Sequence, residues 1–369
     1  MVALEAVDRN AASATSASEH ARAARSDTDQ APDVSVVIVV YGEEPWLERS
    51  VRAALGSIGV RSEVVLVENG GSEDTIALFE TDPRVRVVRP GRNTGFAQGC
   101  DLGAAASQAP FIALINPDAV VEPAALRELV TVAARPGVGI ASASLRLGDD
   151  PDRLNSAGNE VSFLGLSWAG HFGEAAADHD TETDVISATG AAMVCSRDLW
   201  DALGGLQERF FAYFEDTEFS LRCWQRGERV VYVPSAVVVH RYEFSRNAEK
   251  FFLLERNRLI TMLTCFDTRH LLAIIPLSVI TELGLLALAA KDGWLPQKLR
   301  AYRAVIADLG TIRSRRGDVM SRRLAPPGPL LDLFTVHLRP GNMPDAHPPR
   351  FVEQLLRTYW RAARRMMNI

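Results

Sequence analysis

Ile112-Ala113-Leu114-Ile115-Asn116-Pro117-Asp118 is an apolar run that ends in a polar turn and a carboxylate. Its length and lack of alternation predict a strand over 111–115 buried on both faces. The proline ends the hydrogen-bonding ladder, so Asp118 stands at the strand's carboxyl end. The same unit recurs upstream. Residues 34–41 form a continuous, mostly β-branched run, and 46–57 follow with helical spacing through Trp46, Leu47, Val51, Ala54 and Leu55. A second strand is expected over 63–67 with a glycine exit at Gly70-Gly71, then a helix over 74–80 and a third strand over 85–88. A polar loop, Gly91-Arg92-Asn93-Thr94-Gly95, leads into a small-residue helix at 96–107. Strands alternating with helices predict an α/β fold with a mostly parallel central sheet. Ligands of such sheets gather outside the carboxyl ends of the strands.

The second half is less regular. Residues 123–134 read as a helix, 148–184 as a long loop region and 187–195 as a strand. A short helix over 197–203 is closed by Gly204-Gly205, and one over 215–226 is stopped by Gly227. In that second helix Asp216 shares a face with Phe219 and Cys223, which turns it inward, whereas Glu218 pairs with Arg222 at i, i+4. Short strands are expected at 230–233 and 236–239 around Pro234, the latter ending in His240, and a helix at 249–263. Asp118, Asp216 and His240 all stand at the mouths of buried elements, the arrangement expected of one site.

Composition limits the function. The chain has 369 residues, 47% of them hydrophobic, enough for a sizeable core. From Lys291 onward 15 Lys/Arg face 6 Asp/Glu, so the overall −6 hides a balance of −15 over residues 1–290. An acidic body argues against nucleic-acid binding, and a basic tail suits an anionic surface. Cys100, Cys195, Cys223 and Cys265 form no CxxC pair, which points to a reducing cytoplasm. Residues 1–32 have no apolar run and read as a disordered leader. Residues 271–290 have membrane length but are interrupted by Pro276, Thr281, Glu282 and Gly284. A central acid costs about 2.5–3.5 kcal/mol on insertion scales, so an interfacial or partner-facing helix is expected. The closing stretch 351–367 mixes Leu355, Leu356, Tyr359, Trp360, Met366 and Met367 with four arginines. That composition suits a helix on a membrane or one docked on its own domain. The expected organisation is a domain over 33–265 and a helical, basic, membrane-associating extension over 266–369.

The ordered motifs Tyr41-Gly42, Val67-Glu68-Asn69-Gly70, Arg92-Asn93-Thr94-Gly95-Phe96, Asn116-Pro117-Asp118, Thr189-Gly190-Ala191, Phe214-Glu215-Asp216 and His240 resemble the family 2 inverting glycosyltransferases. Within that family the chain looks most like the bacterial rhamnosyltransferase-type branch, over roughly residues 34–265. The resemblance implies a GT-A nucleotide-diphospho-sugar transferase fold and a divalent metal, Mn²⁺ or Mg²⁺. It also implies a donor such as dTDP-rhamnose, ahead of UDP-galactofuranose, UDP-glucose or UDP-GlcNAc.

The residue types suit that chemistry. A departing nucleoside diphosphate gathers negative charge, which a cation held by a carboxylate neutralises. Asp118 is the candidate ligand, within Asn116-Pro117-Asp118 where the family has Asp-x-Asp, and His240 completes the metal shell. The resemblance makes Asp216 the base that deprotonates the acceptor hydroxyl and Glu215 its orienting neighbour. Tyr41, Glu43, Glu68 and Asn69 are expected at the nucleoside. Arg92, Asn93 and Gly95 are expected at the diphosphate or sugar, or simply in turn chemistry. Gly190 and Ala191 are expected to leave room on the acceptor side. The expected acceptor is a cell-envelope or lipid-linked saccharide, and the expected place the inner face of the plasma membrane. The competing reading is a non-catalytic nucleotide-sugar-binding membrane scaffold of the same fold.

Overall fold

A computed structural model describes residues 31–241, 249–339, 341 and 349–367. The leader expected over 1–32 lies, as far as residue 30, outside them. The first half alternates as the residue pattern requires: β1 (Val34–Val40), α1 (Leu47–Leu55), β2 (Ser62–Glu68), α2 (Glu73–Ala77), β3 (Val85–Val88), α3 (Gly95–Ala105), β4 (Phe111–Ile115), β5 (Ala119–Val121) and α4 (Ala125–Ala133). Then come β6 (Val138–Leu147), β7 (Leu154–Ser156), β8 (Asn159–Val161), β9 (Ser167–Ala169), β10 (Thr183–Asp184), β11 (Ala192–Ser196), α5 (Arg197–Leu203), α6 (Glu215–Arg226) and β12 (Arg229–His240). Six helices follow: α7 (Lys250–Cys265), α8 (Thr268–Lys291), α9 (Leu295–Ala307), α10 (Leu309–Ser321), α11 (Gly328–Leu333) and α12 (Arg350–Met366).

The main sheet runs β10-β12-β6-β11-β4-β1-β2-β3. β3, β2, β1 and β4 are parallel, β11 is antiparallel to both β4 and β6, and β12 is parallel to β6. Two reversals across β11 restore the direction, so β4, β6 and β12 end on the same edge. Each strand feeds both faces. Val36, Ile38 and Val40 of β1 pack with Leu47 and Val51 of α1 and Leu126 and Leu129 of α4. Val37 and Val39 pack in the opposite core with Ala97 and Cys100 of α3.

Three readings are corrected. The sequence pattern missed β6, whose Val-Gly-Ile-Ala-Ser-Ala-Ser start lacks the β-branched signature although it is buried from Val138 to Leu145. Its small residues are imposed by packing, since a Cβ at Gly139 would lie 2.4 Å from Cys223 Sγ. The expected loop at 148–184 instead contributes β7, β8, β9 and β10. Around Pro234 there is one strand, β12, with a register shift between Val233 and Val237.

The helices after residue 265 share the core of the α/β body: Leu331, Phe334, Leu356 and Trp360 belong to the same cluster as Ile112 and Phe219. Trp360 stacks on Phe163 with ring centroids 4.8 Å apart, so α12 is docked by its apolar face. α8 behaves differently. It is long and apolar enough to cross a membrane, and almost none of it is buried. Leu272, Ile275, Val279, Ile280 and Leu283 form an exposed stripe. Glu282 points the other way, onto Arg258 at 2.5 Å and Lys298 at 2.7 Å.

The Glu218–Arg222 pair has the structural role its spacing predicts. The two are 2.6 Å apart with side chains 1% and 4% exposed, and Arg315 approaches Glu218 at 3.0 Å. Arg222 also donates to the carbonyls of Leu203 at 2.7 Å and Gly205 at 2.8 Å. Glu218→Ala should destabilise the fold by about 3–5 kcal/mol, because it strands a buried guanidinium. An unchanged denaturation midpoint in urea would contradict this role.

Candidate active site

The parallel strands bring their carboxyl ends, and with them the expected residues, to one edge. Asp118 follows β4, and His240 ends β12 opposite Ala119 of β5. That pairing puts His240 Nε2 3.2 Å from Asp118 Oδ1. Arg241 donates its backbone N–H to the Asp118 carbonyl at 2.9 Å, which fixes the carboxylate's backbone. On its other side His240 Nδ1 lies 2.8 Å from Asn155 Oδ1. An amide oxygen only accepts, so Nδ1 carries a proton and Nε2 is the ring nitrogen turned toward Asp118. Asn116 Nδ2 approaches that Nε2 at 3.4 Å. A carboxylate oxygen and an imidazole nitrogen thus converge on one point, two donor types that a transition-metal dication accepts. The spacing is close to the edge of a coordination shell built on bonds of about 2.0–2.2 Å. Asn155 Nδ2 is buried without a hydrogen-bond partner, so this amide serves the histidine first. The donor set therefore suits a divalent cation.

Asp216 sits in the first turn of α6 and is held from both sides. Its Oδ2 accepts from the Gly190 N–H at 2.9 Å and from Asn159 Nδ2 at 3.1 Å, and its Oδ1 from the Thr217 N–H at 2.6 Å. The contact with Gly190 is close enough that an added Cβ there would stand 3.3 Å from Phe96 and 3.5 Å from Asp216. Next along the chain, the Ala191 carbonyl accepts from the Asn116 N–H at 2.9 Å. A short run, Gly190-Ala191, thus connects Asp216 to the turn that carries Asp118. Desolvation raises the Asp216 pKa, opposed by the donors from Gly190, Thr217 and Asn159. Glu215 is buried, with Oε2 unpartnered. Desolvation, then the charge of Asp216, pushes its pKa up to about 8, so near neutral pH Glu215 is protonated.

The backbone that aims Asp216 is strained. Phe211, Tyr213 and Phe214 have φ of 66°, 71° and 71°, conformations that cost of order 1–3 kcal/mol each for non-glycine residues. Asn257 of α7 offsets this. It is fully buried, and its Nδ2 lies 3.0, 2.9 and 2.8 Å from the carbonyls of Phe210, Ala212 and Tyr213. Arg256 adds donors to the carbonyls of Arg209 at 2.8 Å and Phe210 at 2.9 Å. Gly95, at φ +81°, lets the same loop settle on the start of α3, where a Cβ would come 2.5 Å from Phe211.

The remaining expected residues divide by accessibility. Tyr41 is 68% exposed at the end of β1, and Glu68 is half-buried at the end of β2. Arg92 is exposed, with a 3.4 Å contact to Gln98. Glu43 accepts from the Ser72 N–H at 2.9 Å. Asn69 is buried; its Nδ2 donates to the Gly95 carbonyl at 2.9 Å, and its Oδ1 accepts from the Thr94 N–H at 3.1 Å. Asn93 accepts from the Gly95 N–H at 2.9 Å. Asn69, Asn93 and Gly95 therefore build the loop, and Tyr41, Glu68 and Arg92 face outward from it. Asn155, Asn159 and Asn257 were not foreseen. Only Asn257 left a local signal, the polar Glu255-Arg256-Asn257-Arg258 within an otherwise apolar helix.

A mostly parallel sheet with acids and a histidine at its carboxyl edge is the GT-A architecture of nucleotide-sugar transferases. GalNAc-T7, solved with UDP, GalNAc and Mn²⁺, superposes with a TM-score of 0.54 at 15% identity, covering 69% of this chain and 54% of that one. TarS of S. aureus superposes at 0.51 and 13% identity, covering 90% and 53%. The family model described as "Glycosyltransferase like family 2" matches residues 32–260, and the chain belongs to that family. An uncharacterized protein of Sinorhizobium fredii, y4gI, is 32% identical over 59% of this chain and 25% of its own length. The succinoglycan biosynthesis protein ExoO of Rhizobium meliloti is 34% identical over 31% and 33%. The chain thus spans a third or less of these two relatives. The N-acetylglucosaminyl-diphospho-decaprenol L-rhamnosyltransferase of Mycobacterium tuberculosis is 29% identical over 56% of this chain and 75% of its own.

The raised pKa of Glu215 has a sign that can be tested. A carboxyl raised from 4.5 to about 8 favours the folded state below 4.5, and that advantage is lost as pH rises through about 8. Glu215→Gln removes the titration. Its Tm relative to the parent should therefore rise between about pH 5 and pH 9, by at least about 2 °C. A pH-independent difference would show that Glu215 titrates like an exposed acid.

Proposed function

We propose that the protein is a metal-dependent inverting glycosyltransferase with Asp216 as its general base. It moves a sugar from a nucleotide-diphospho-sugar to a hydroxyl of a cell-envelope saccharide. The observation that carries this reading is the Gly190-Ala191 connection, which sets a hydrogen-bonded Asp216 beside the turn bearing the Asp118–His240 pair. A Mn²⁺ or Mg²⁺ ion held by Asp118 and His240 supplies charge neutralisation for the departing diphosphate. Asp216 accepts the acceptor's hydroxyl proton as that oxygen bonds to the anomeric carbon, while the bond from this carbon to the diphosphate oxygen breaks. A single displacement inverts the configuration and needs no protein nucleophile. Neutral Glu215 spares Asp216 a second negative neighbour. Tyr41 offers an aromatic face to the base, Glu68 a carboxylate to base or ribose, and Arg92 a guanidinium to the diphosphate.

Rhamnose from dTDP-rhamnose is the donor we favour. The support is the motif pattern together with the mycobacterial relative, whose name also carries a diphospho-decaprenol acceptor. A lipid-linked acceptor accords with α8. Its exposed stripe can lie in a bilayer surface while Glu282 stays on the protein side with Arg258 and Lys298. The full chain then sits peripherally on the cytoplasmic face of the membrane.

With Mn²⁺ present, purified protein should release dTDP from dTDP-rhamnose faster than UDP from UDP-galactofuranose, UDP-glucose or UDP-GlcNAc. Asp216→Asn should lower turnover about 10²–10⁴-fold without loss of donor binding. Turnover equal to the parent would remove Asp216 from the mechanism. In flotation with anionic vesicles the protein should rise with the lipid, and Ile275→Asp with Ile280→Asp should leave it at the bottom. Equal flotation of the double variant would exclude α8 as the contact.

A further inference from the structure

Behind Asp216 lies a second constellation. Asn159, which donates to Asp216, also lines a cavity of about 300 Å³ whose walls include Glu160, His171, His179, Asp184 and Tyr232. Beside the two histidines, Glu174 Oε2 lies 3.2 Å from His171 Nδ1 and 2.7 Å from His179 Nε2. The two rings are 4.1 Å apart at 41°, and the three potential ligand atoms lie within 4.8 Å of one another. We propose that His171, Glu174 and His179 form a second divalent-cation site, of the two-histidine, one-carboxylate kind that takes Zn²⁺.

The geometry suits the ion. Zn–N and Zn–O bonds of about 2.0–2.2 Å in a tetrahedron separate ligand atoms by roughly 3.3 Å. Binding would open the 3.2 and 2.7 Å contacts of Glu174 by roughly 0.1 and 0.6 Å and draw together ligand atoms that now lie up to 4.8 Å apart. Two imidazoles select Zn²⁺ over Mg²⁺ or Ca²⁺, and three protein ligands leave one position open. His171 and Glu174 have side chains 42% and 55% exposed, so an ion can reach them from solvent.

The backbone at each ligand is pinned by the sheet. Leu154 of β7 donates to the Glu174 carbonyl at 2.9 Å, and the Gly173 N–H returns to the Leu154 carbonyl at 2.8 Å. Buried Tyr232 of β12 donates to the His179 carbonyl at 3.1 Å. His171 itself holds a left-handed backbone, φ 58°, in the turn that brings its ring toward Glu174. Such a site ties the 171–179 segment to the strands behind it and stiffens the cavity wall. It is distinct from the Asp118–His240 pair and does not depend on the transferase reading.

The test uses the full chain stripped of metal. Zn²⁺ titrated calorimetrically into Asp118→Asn, which disables the other candidate site, should bind at one equivalent. Adding His171→Ala and His179→Ala should weaken that binding at least tenfold; even loss of an outer-shell partner costs about 10–100-fold in metal affinity. Zn²⁺ should raise the Tm of Asp118→Asn but not of the triple variant, whose metal-free Tm shows whether it is folded. Co²⁺ in place of Zn²⁺ should give the visible absorption of a four-coordinate centre, lost in Glu174→Gln. Equal Zn²⁺ affinity and equal Tm shift with and without the two histidines would overturn the proposal.

Discussion

β11 is the constraint on which the site depends. Wedged antiparallel between β4 and β6, it enters the sheet from the edge where the parallel strands end. The residues just before it, Thr189-Gly190-Ala191, must therefore pass directly over the turn after β4. There the main chain has two obligations, one carbonyl for Asn116 and one N–H for Asp216. Ala191 supplies the carbonyl and Gly190 the N–H, at a position where the approach of Phe96 and Asp216 leaves little room for a side chain. A displacement of this short run would uncouple the helix bearing Asp216 from the strand that leads into Asp118.

Much of this was legible in advance, and the reason is geometric. β1, β2 and β4 are buried on both faces, so their residues are apolar without alternation and their ends are marked by Tyr41, Glu68 and Asp118. β6 is buried as deeply but packs against Cys223 and Leu199, which admit only glycine at position 139. Its alanines and serines look like a loop. The same applies to Asn155 and Asn159, which act through partners 85 and 57 residues away. No local pattern records contacts of that span. Asn69 shows the converse: a motif position that looks like a ligand contact, whose amide is used inside the protein to join β2 to the loop before α3.

The two candidate membrane segments separate once their polar residues are traced. In α12 the apolar stripe turns inward to Phe163 and leaves arginines outside, so amphipathicity there reports docking on the body. In α8 the apolar side faces outward and the single acid inward. Composition alone left 351–367 open between a membrane and its own domain, and α12's docking on Phe163 separates the two.

The inward acid has a further consequence. Glu282 meets Arg258 and Lys298, and both of those cations also contact Glu255, which links α7, α8 and α9 in one charged knot. Excision of the chain after α7 would leave the guanidinium of Arg258 with one carboxylate where it now has two, and Glu255 without its ammonium partner. A boundary near residue 265 follows the motif pattern, but the ion pairs of α8 and α9 and the core packing of α11 and α12 run across it. The segment that looks like an appendage is thus fastened to α7 by charge.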